Sequence, residues 1–480
     1  MTTTPSRRPS DPDGPTGVLS DYLAGARLDD LPADVVQRAH HLLLDGIGCG
    51  LLAARMPWSE LAVRAICDIE GDGPVSLWGW GRRVPAGAAA LLHGTFVQGF
   101  ELDDYHQFGP LHSAACVIPS VLASAQHVTG ATGRDVVEAV CLGFEVGPRV
   151  GMSMGGLALA ARGWHCGSVY GTLASAAGAG KIRKLDAAGF EDAIGIAATQ
   201  ASGLMSAQFG AMVKRMHAGM SARNGLYAAA LAHTGFTGIK RVIERDDGGF
   251  AQTFSGGGEA VDLTQLTDGL GSRFEISRIA VKPPYACMGG LHSTIDAVRE
   301  LTAAGPIPAA EVVRIRIGVA NATYKHAGWT LERPATVVGA QMNLAYAAAV
   351  TLLDGAAFVP QFSPTRIESD DVWAMIEKTD VYYDETMDTL GDDARWTSRL
   401  RVELADGSVR ETEIRQPWGA PTRPLTNEEL REKFRRMAGL VCKDTGRVDA
   451  LERVLLRLQE ERDLERLVEL IEPDVEPAFG

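Results

Sequence analysis

The feature of the sequence that most restricts the fold is a long region of helical spacing crowded with small residues. From about residue 18 to residue 245, apolar residues recur mostly at intervals of three and four, which indicates helices with one buried face. The stretch GTLASAAGAGKI at 171–182 has almost no side-chain bulk, so helices there can approach closely. These patterns predict a compact bundle that forms a large, all-helical domain.

The pattern changes near residue 273. VVRIRIGVA (312–320) alternates apolar with other residues as half-buried strands do, and SRLRVELADGSVRETEI (398–414) has the alternation and the Asp-Gly turn of a hairpin. Helical spacing then returns. We therefore predict a mainly α protein with a disordered segment at 1–17, an all-helical domain at 18–272 and 425–472, and a smaller α+β lid domain at 273–424.

Composition and charge argue against several classes of protein. The net charge is −14, which disfavours nucleic acid or an anionic membrane surface as the main partner. The seven cysteines are scattered and form no CxxC pair, which favours a reducing, cytoplasmic location without disulfides or structural zinc. No apolar stretch follows the basic residues near the start, so no secretory signal is predicted. The uncharged stretch 193–213 contains too many Thr, Ser and Gln residues for a membrane-spanning helix.

Residues 100–119, FELDDYHQFGPLHSAACVIP, concentrate groups that exchange protons at the start of an apolar helix. Carboxylates in such a place commonly cap the helix, but capping does not need His112 as well. Asp103, Asp104, His106 and His112 could also bind a metal, yet their spacing matches no established metal motif and no metal is predicted. The stretch is therefore a candidate catalytic segment.

Three further clusters carry residues suited to chemistry. His165 precedes a Gly-Ser pair that would open a helix, and free amides there can hold an oxyanion or a carboxylate. Lys214 and His217 follow the uncharged stretch, where a solvated basic face is the alternative interpretation. Lys282 and Cys287 lie at a strand-to-helix junction.

Histidines, lysines and carboxylates without metal or nucleotide motifs suit proton transfer next to a carboxylate. Lys and His can hold the carboxylates of a substrate and stabilise the charge of an enolate-like intermediate. A His or an acid can move the proton. The sequence therefore predicts an enzyme without cofactors, with a protein that only binds a carboxylate and a metal-dependent hydrolase as alternatives.

The four clusters, in this order, resemble the MmgE/PrpD family. GAAALLHGTFVQGFELDDYHQFGPLHSAACVIPSVLASAQ resembles its N-terminal signature and WHCGSVYGTLASAAGAGKI its second signature. VKRMHAGMSARNG resembles its lysine segment and VKPPYACMGGLHSTID its K-P-x-x-x-C-type segment. ERPATVVGAQMNLAYAAAVTLLDG (332–355) resembles a stretch of its smaller domain, so the similarity spans about residues 18–440.

The resemblance implies a helical domain with an α+β lid, a homodimer, and a reaction on a small polycarboxylate without a cofactor. Known members are 2-methylcitrate dehydratase, cis-aconitate decarboxylase and iminodisuccinate epimerase, which share proton transfer beside a carboxylate. The matching positions that this resemblance implies to be catalytic are Glu101, His112, His165 and Lys214. The predicted substrate-binding residues are Asp104, Tyr105, His217, Lys282 and Cys287.

Three departures from the family pattern bear on the substrate. Glu101 stands where Asp is usual, Tyr105 is bulkier than the usual Thr, and Cys287 lies where decarboxylase members carry a His. The last departure weighs against a decarboxylase. We therefore expect a dehydratase-like lyase for a di- or tricarboxylate similar to 2-methylcitrate, with decarboxylation or epimerisation of a related acid as the alternative activity.

Overall fold

Helices make up most of the regular structure, as the sequence predicts. The computed structural model describes residues 7–256 and 261–479. Within these ranges the helices of the first half of the chain are α1 Pro15–Gly25, α2 Ala33–Ala53, α3 Pro57–Glu70, α4 Ala86–Val97, α5 Ser113–His127, α6 Gly133–Ser153, α7 Ala158–Ala161, α8 Cys166–Ile182, α9 Ala187–Ala198, α10 Val213–His233 and α11 Phe250–Ser255. The later helices are α12 His292–Ala303, α13 Asn321–Ala327, α14 Val337–Gln341, α15 Leu344–Asp354, α16 Pro364–Ile367, α17 Asp370–Glu377, α18 Asn427–Val441, α19 Thr445–Leu455 and α20 Glu465–Ile471.

The helices that carry small residues pack closely. A methyl group added to Gly94 of α4 would lie 2.6 Å from the Cα atom of Gly219 in α10, so only glycine allows this approach. In the same way, a methyl group on Gly48 of α2 would lie 2.9 Å from side-chain atoms of Phe434 and Met437 in α18. The helix α18 therefore packs against the helices of the first half of the chain.

The strands are short and form three separate sheets in the described residues. Their bounds are β1 Val75–Leu77, β2 Arg82–Val84, β3 Asp104–His106, β4 Ile279–Val281, β5 Val312–Val319, β6 Thr379–Tyr383, β7 Ser398–Leu404 and β8 Val409–Ile414. The largest sheet has the order β6-β5-β7-β8, with β5 and β6 parallel and the other neighbours antiparallel. Its buried side chains alternate with half-exposed ones along β7, and α12 packs across β7 and β8.

The two-stranded ladder of β3 and β4 positions the site. The antiparallel register pairs Asp104 with Val281 and Tyr105 with Ala280 across more than 170 residues of sequence. Because Lys282 directly follows β4, this register places it beside the residues that precede β3. The acid-rich stretch and the segment after β4 thereby become neighbours in space.

Residues 7–17, for which the sequence predicts disorder, make defined contacts. The backbone amide of Arg7 donates to Asp186 at 3.1 Å, and the amide of Ser10 donates to Glu191 at 2.9 Å. Helix α1 begins within this segment, at Pro15. Residues 1–6 of that prediction lie outside the described residues. Among the helices described, none has the length and apolar character needed to cross a bilayer.

Candidate active site

A cavity of about 360 Å³ lies between the helical part of the chain and the segments that follow β4. From the helical part its polar lining includes Glu101, Tyr105, His112, His165, Gln208 and Lys214. From the later segments it includes Lys282, Thr323, His326, Arg395 and Trp396. Six of the nine predicted site residues thus meet in one cavity, and its volume suits a small organic acid.

The centre of the cavity wall is a turn between α4 and β3, residues 99–104, which we call the acid turn. Its Glu101 has a φ of 56°, in the left-handed region that residues other than glycine rarely adopt. The Nζ atom of Lys214 donates to Oε1 of Glu101, and Nζ of Lys282 lies 3.1 Å from Oε2. One buried carboxylate therefore binds two buried ammonium groups.

The charges of this triad follow from its contacts. Burial alone would raise the pKa of Glu101, but Lys214, Lys282 and His112 hold it well below its ordinary value, so the carboxylate is ionised. Burial opposes the charge of Lys282, yet Glu101 and Asp103 raise its pKa. Burial lowers the pKa of Lys214, and Glu101 opposes that effect.

Asp103 and His112 form a second pair next to the triad. Nδ1 of His112 lies 2.9 Å from Oδ2 of Asp103 and 2.8 Å from the carbonyl oxygen of Asp104. Burial raises the pKa of Asp103, but His112 and Lys282 together keep it below its ordinary value. Because both neighbours of Nδ1 are acceptors, Nδ1 carries a hydrogen, and Nε2 is the ring nitrogen that can exchange a proton. The ionised Asp103 stabilises the positive charge that the ring gains on protonation.

His165 lies at the start of α8 and keeps a neutral ring. Burial, with smaller contributions from His217 and Lys214, holds its pKa well below the ordinary value. Its Nδ1 lies 3.3 Å from the hydroxyl oxygen of Ser168. The ring centroids of His217 and His165 lie 4.7 Å apart. His217 lines a separate cavity beside Ser168 and does not line the main cavity. His217 is thus placed behind His165.

Two other predicted substrate-binding residues also lie outside the cavity lining. The carboxyl of Asp104 accepts a hydrogen bond of 3.0 Å from the amide of Ala114 in the first turn of α5. Burial and the charge of Asp103 raise the pKa of Asp104 well above its ordinary value, which favours the protonated form of this carboxyl. Cys287 is completely buried, and burial raises the pKa of its thiol. Tyr105, by contrast, lines the cavity, where its ring stacks on Trp396 with centroids 5.2 Å apart.

Five residues of the polar lining given above are not predicted from the sequence: Gln208, Thr323, His326, Arg395 and Trp396. Arg395 places its guanidinium 4.2 Å from the ring centroid of Trp396, and burial lowers its pKa to about 10. No carboxylate of the residues that the structure describes forms an ion pair with it. Nε2 of Gln208 lies 3.1 Å from Nδ1 of His326, so these two residues join the walls of the cavity. Arg395 lies in a segment of irregular spacing, and no motif in the sequence draws attention to it.

The arrangement is suited to moving a proton beside a bound anion. Lys214, Lys282 and Arg395 supply positive charge, whereas Glu101 is the ionised acid of the lining. Across residues 7–256 and 261–479, no group of three His, Cys, Asp or Glu side chains is arranged to hold a metal ion.

Two family models match this chain. The MmgE/PrpD N-terminal domain matches residues 17–263, and the MmgE/PrpD C-terminal domain matches residues 285–457. The chain belongs to the MmgE/PrpD family. The resemblance inferred from the four sequence clusters is therefore confirmed.

Several relatives match over nearly their whole length. The cis-aconitate decarboxylase-like protein oryM of Aspergillus oryzae is 40% identical, covering 95% of this chain and 97% of the relative. A cis-aconitate decarboxylase of Aspergillus terreus is 38% identical, covering 97% of this chain and 98% of the relative. The human cis-aconitate decarboxylase is 26% identical, covering 93% and 92% respectively. Decarboxylases, the alternative activity of the sequence analysis, therefore stand among the similar proteins.

Proposed function

We propose that this protein is a lyase that decarboxylates a small unsaturated tricarboxylate, with cis-aconitate as the leading candidate, and needs no cofactor. The observation that carries the proposal is the joint position of two groups in one cavity. The Asp103–His112 pair can move a proton, and it lies beside a carboxylate bound by two lysines. The names of the relatives favour cis-aconitate over other polycarboxylates.

The charges of the cavity support a substrate with several carboxylates. Each lysine ammonium has three N–H donors, so Lys214 and Lys282 can bind a substrate carboxylate in addition to the carboxylate of Glu101. Arg395 offers a planar pair of donors that fits a carboxylate in a bidentate manner. A trianion thus finds three cations in the cavity lining, whereas a neutral molecule would leave Arg395 uncompensated.

The proposed reaction needs one proton and no redox partner. The bond between the methylene carbon of cis-aconitate and its carboxylate breaks, CO₂ leaves, and the electron pair stays on the organic product as an allylic anion. Lys214 and Lys282 stabilise the negative charge that spreads onto a neighbouring carboxylate. Protonated His112 then donates its Nε2 proton to the CH carbon of the original double bond. This carbon becomes the saturated methylene of itaconate.

Dehydration of a 2-methylcitrate-like acid, the first expectation from the sequence, is supported at the level of the family only. Its preference over decarboxylation depended on Cys287. Because the thiol of Cys287 lies outside the cavity lining, its identity bears little on the substrate. The same assay can test both activities.

The predicted lid, homodimer and cytoplasmic location form part of this proposal. We propose that residues 273–424 act as a lid, because they line part of the cavity, with His326, Arg395 and Trp396 among their lining residues. A homodimer is supported by the exposed apolar side chains of Leu204, Phe209, Met212 and Val213, which lie within ten residues of one another. The seven free cysteines support a cytoplasmic location.

The test is proton NMR of the purified protein in D₂O with cis-aconitate and, separately, 2-methylcitrate. We expect itaconate to appear with one deuterium in its saturated methylene group, because the incoming proton comes from solvent. The His112→Gln variant should lose this activity, whereas Arg401→Gln, on the exposed side of β7, should keep it. Dehydration of 2-methylcitrate without decarboxylation would transfer the assignment to a dehydratase. No turnover of either acid would refute both.

A further inference from the structure

The carbonyl oxygens of the acid turn are held by side chains from three distant helices. Nη1 of Arg215, in α10, donates to the carbonyl of Gly99. Nε2 of Gln341, in α14, lies 3.2 Å from the carbonyl oxygen of Phe100. Nζ of Lys433, in α18, donates to the carbonyl of Leu102. We call Arg215, Gln341 and Lys433 the carbonyl clamp.

The clamp residues are buried and are themselves fixed by further contacts. Lys433 is 1% exposed, and its Nζ lies 2.7 Å from Oδ1 of Asp45 in α2. Oε1 of Gln341 accepts a hydrogen bond of 2.8 Å from Nη2 of Arg215, so two members of the clamp bind each other. The guanidinium of Arg215 also lies 4.0 Å from the ring centroid of Trp58. Burying two such cations is unfavourable unless their donors are used, and here the backbone of the acid turn uses them.

The clamp surrounds the one position of the acid turn whose backbone is unfavourable. The clamped carbonyls belong to Gly99, Phe100 and Leu102, which flank Glu101 and its φ of 56°. A non-glycine residue keeps such a conformation only where its surroundings impose it. If the turn relaxed, the carboxylate of Glu101 would leave Lys214 and Lys282.

The clamp residues are also separate from the cavity. Arg215, Gln341 and Lys433 are absent from its described lining, and Lys433 contacts the carbonyl oxygen of Leu102 rather than the triad. They therefore have no direct contact with a substrate in the cavity. Their effect on the chemistry passes through the position of Glu101 and its neighbour Asp103.

We propose that Lys433, with Arg215 and Gln341, is a positioning residue that holds the acid turn in the conformation in which Glu101 and Asp103 meet the catalytic lysines and His112. The inference rests on the proposed function for its activity measurement. It also predicts a property of the backbone that can be measured without any substrate.

The experiment compares Asp45→Asn with the double variant Asp45→Asn/Lys433→Met. The single variant Lys433→Met is avoided because it would leave Asp45 buried without its partner. Asp45→Asn keeps the donation from Lys433 to Leu102, so it is the matched control. We expect the double variant to lose about 10- to 100-fold in kcat, with KM changed less than about 3-fold, because misplacing a catalytic group by about 1 Å has an effect of this size. The control should stay near the wild-type kcat.

Two further readouts distinguish positioning from general stability. Hydrogen–deuterium exchange of the peptide that covers 98–110 should accelerate in the double variant and not in the control, with or without an active enzyme. The acid limb of the kcat profile should shift to higher pH, because Glu101 loses part of the lysine contacts that hold its pKa down. If the wild-type protein does not act on cis-aconitate, the exchange experiment still decides the inference. Unchanged exchange at 98–110, or a fall in kcat that only matches a smaller folded fraction, would overturn it.

Discussion

The two walls of the cavity are built in different ways. On the wall of the acid turn, the buried acids and lysines hold one another at short distances, and the triad of Glu101, Lys214 and Lys282 is almost free of solvent contact. On the opposite wall, Arg395 has a stacking contact with Trp396 and no ion pair among the described residues. The paired charges of the acid-turn wall hold the reacting groups in place. The unpaired cation of the opposite wall is available to bind a carboxylate and so to select the substrate.

The sharpest test of this contrast is His112→Gln on the acid-turn wall. We expect kcat for the proposed decarboxylation to fall about 10³-fold, in the range for loss of a general acid, while KM changes little. Steady-state kinetics on folded protein, checked by circular dichroism, provide the measurement. A KM effect larger than the kcat effect would show that His112 binds the substrate and does not transfer the proton.

Two adjacent carboxyls give the next test. Asp103→Asn should lower kcat about 10²-fold, because an amide cannot stabilise protonated His112 as an ionised carboxylate does. Asp104→Asn should stay within about 3-fold of wild type, since burial and Asp103 raise the pKa of Asp104 and favour a neutral carboxyl, which the amide of asparagine resembles. Both variants are assayed under the same conditions. Similar losses in the two would contradict the proposed division of roles.

Arg395→Gln tests the opposite wall. Removing a charged donor pair that binds a carboxylate should raise KM about 10- to 100-fold, corresponding to about 1.5–3 kcal/mol, with kcat within about 3-fold. Arg401→Gln is the control, because Arg401 lies on the exposed sheet and already pairs with Glu403 at 3.2 Å. A fall in kcat at unchanged KM would place Arg395 in the chemical step and remove the contrast between the walls.

The smallest expected effect concerns stability beneath the acid-turn wall. His106, Arg273 and Arg278 bind Glu275 and, against the opposing effect of burial, lower its pKa to about 2. A carboxyl whose folded pKa is depressed stabilises the protein above its unfolded pKa, and this contribution disappears as the pH falls through the folded pKa. Glu275→Gln should therefore lower the free energy of unfolding by about 1–3 kcal/mol at pH 6.

The pH dependence makes this prediction specific to the charge of Glu275. The difference from wild type should shrink by more than half between pH 6 and pH 3, as urea denaturation over a series of pH values can show. A difference that stays constant over this range would mean that Glu275 stabilises the fold through packing and not through its charge.

Much of the acid-turn wall could be predicted from sequence, because its residues lie in dense local clusters. Glu101, His112, His165, Lys214 and Lys282 each stand in a motif, and the helices and the hairpin that carry or surround them have clear periodicity. In the structure Asp103, which is not among the predicted site residues, contacts Lys282 and His112, whereas Asp104 accepts a hydrogen bond from the amide of Ala114. Asp103 precedes β3 and Asp104 begins it, so no strand alternation in the sequence shows which of the two side chains faces the lysines.

The opposite wall could not be predicted for a different reason. Arg395 lies in irregular 3₁₀ structure at the end of a segment without apolar periodicity, so nothing local distinguishes it from other arginines. Its guanidinium lies over Trp396, and the ring of Trp396 stacks on Tyr105 from a distant part of the sequence. The position of His217 could not be predicted from helical spacing. His217 shares a helix face with Lys214, three residues away, and yet it packs behind His165.

The contact between Lys433 and the acid turn has a consequence for synthesis of the chain. Leu102 leaves the ribosome 331 residues before the lysine that binds its carbonyl group. Once Lys282 has been added, the nascent protein contains both histidines and both lysines of the wall, but the acid turn lacks the contact with Lys433 until a further 151 residues have followed. Catalytic capacity is therefore acquired near the end of translation, and a prematurely terminated chain has the reactive groups without the geometry to use them.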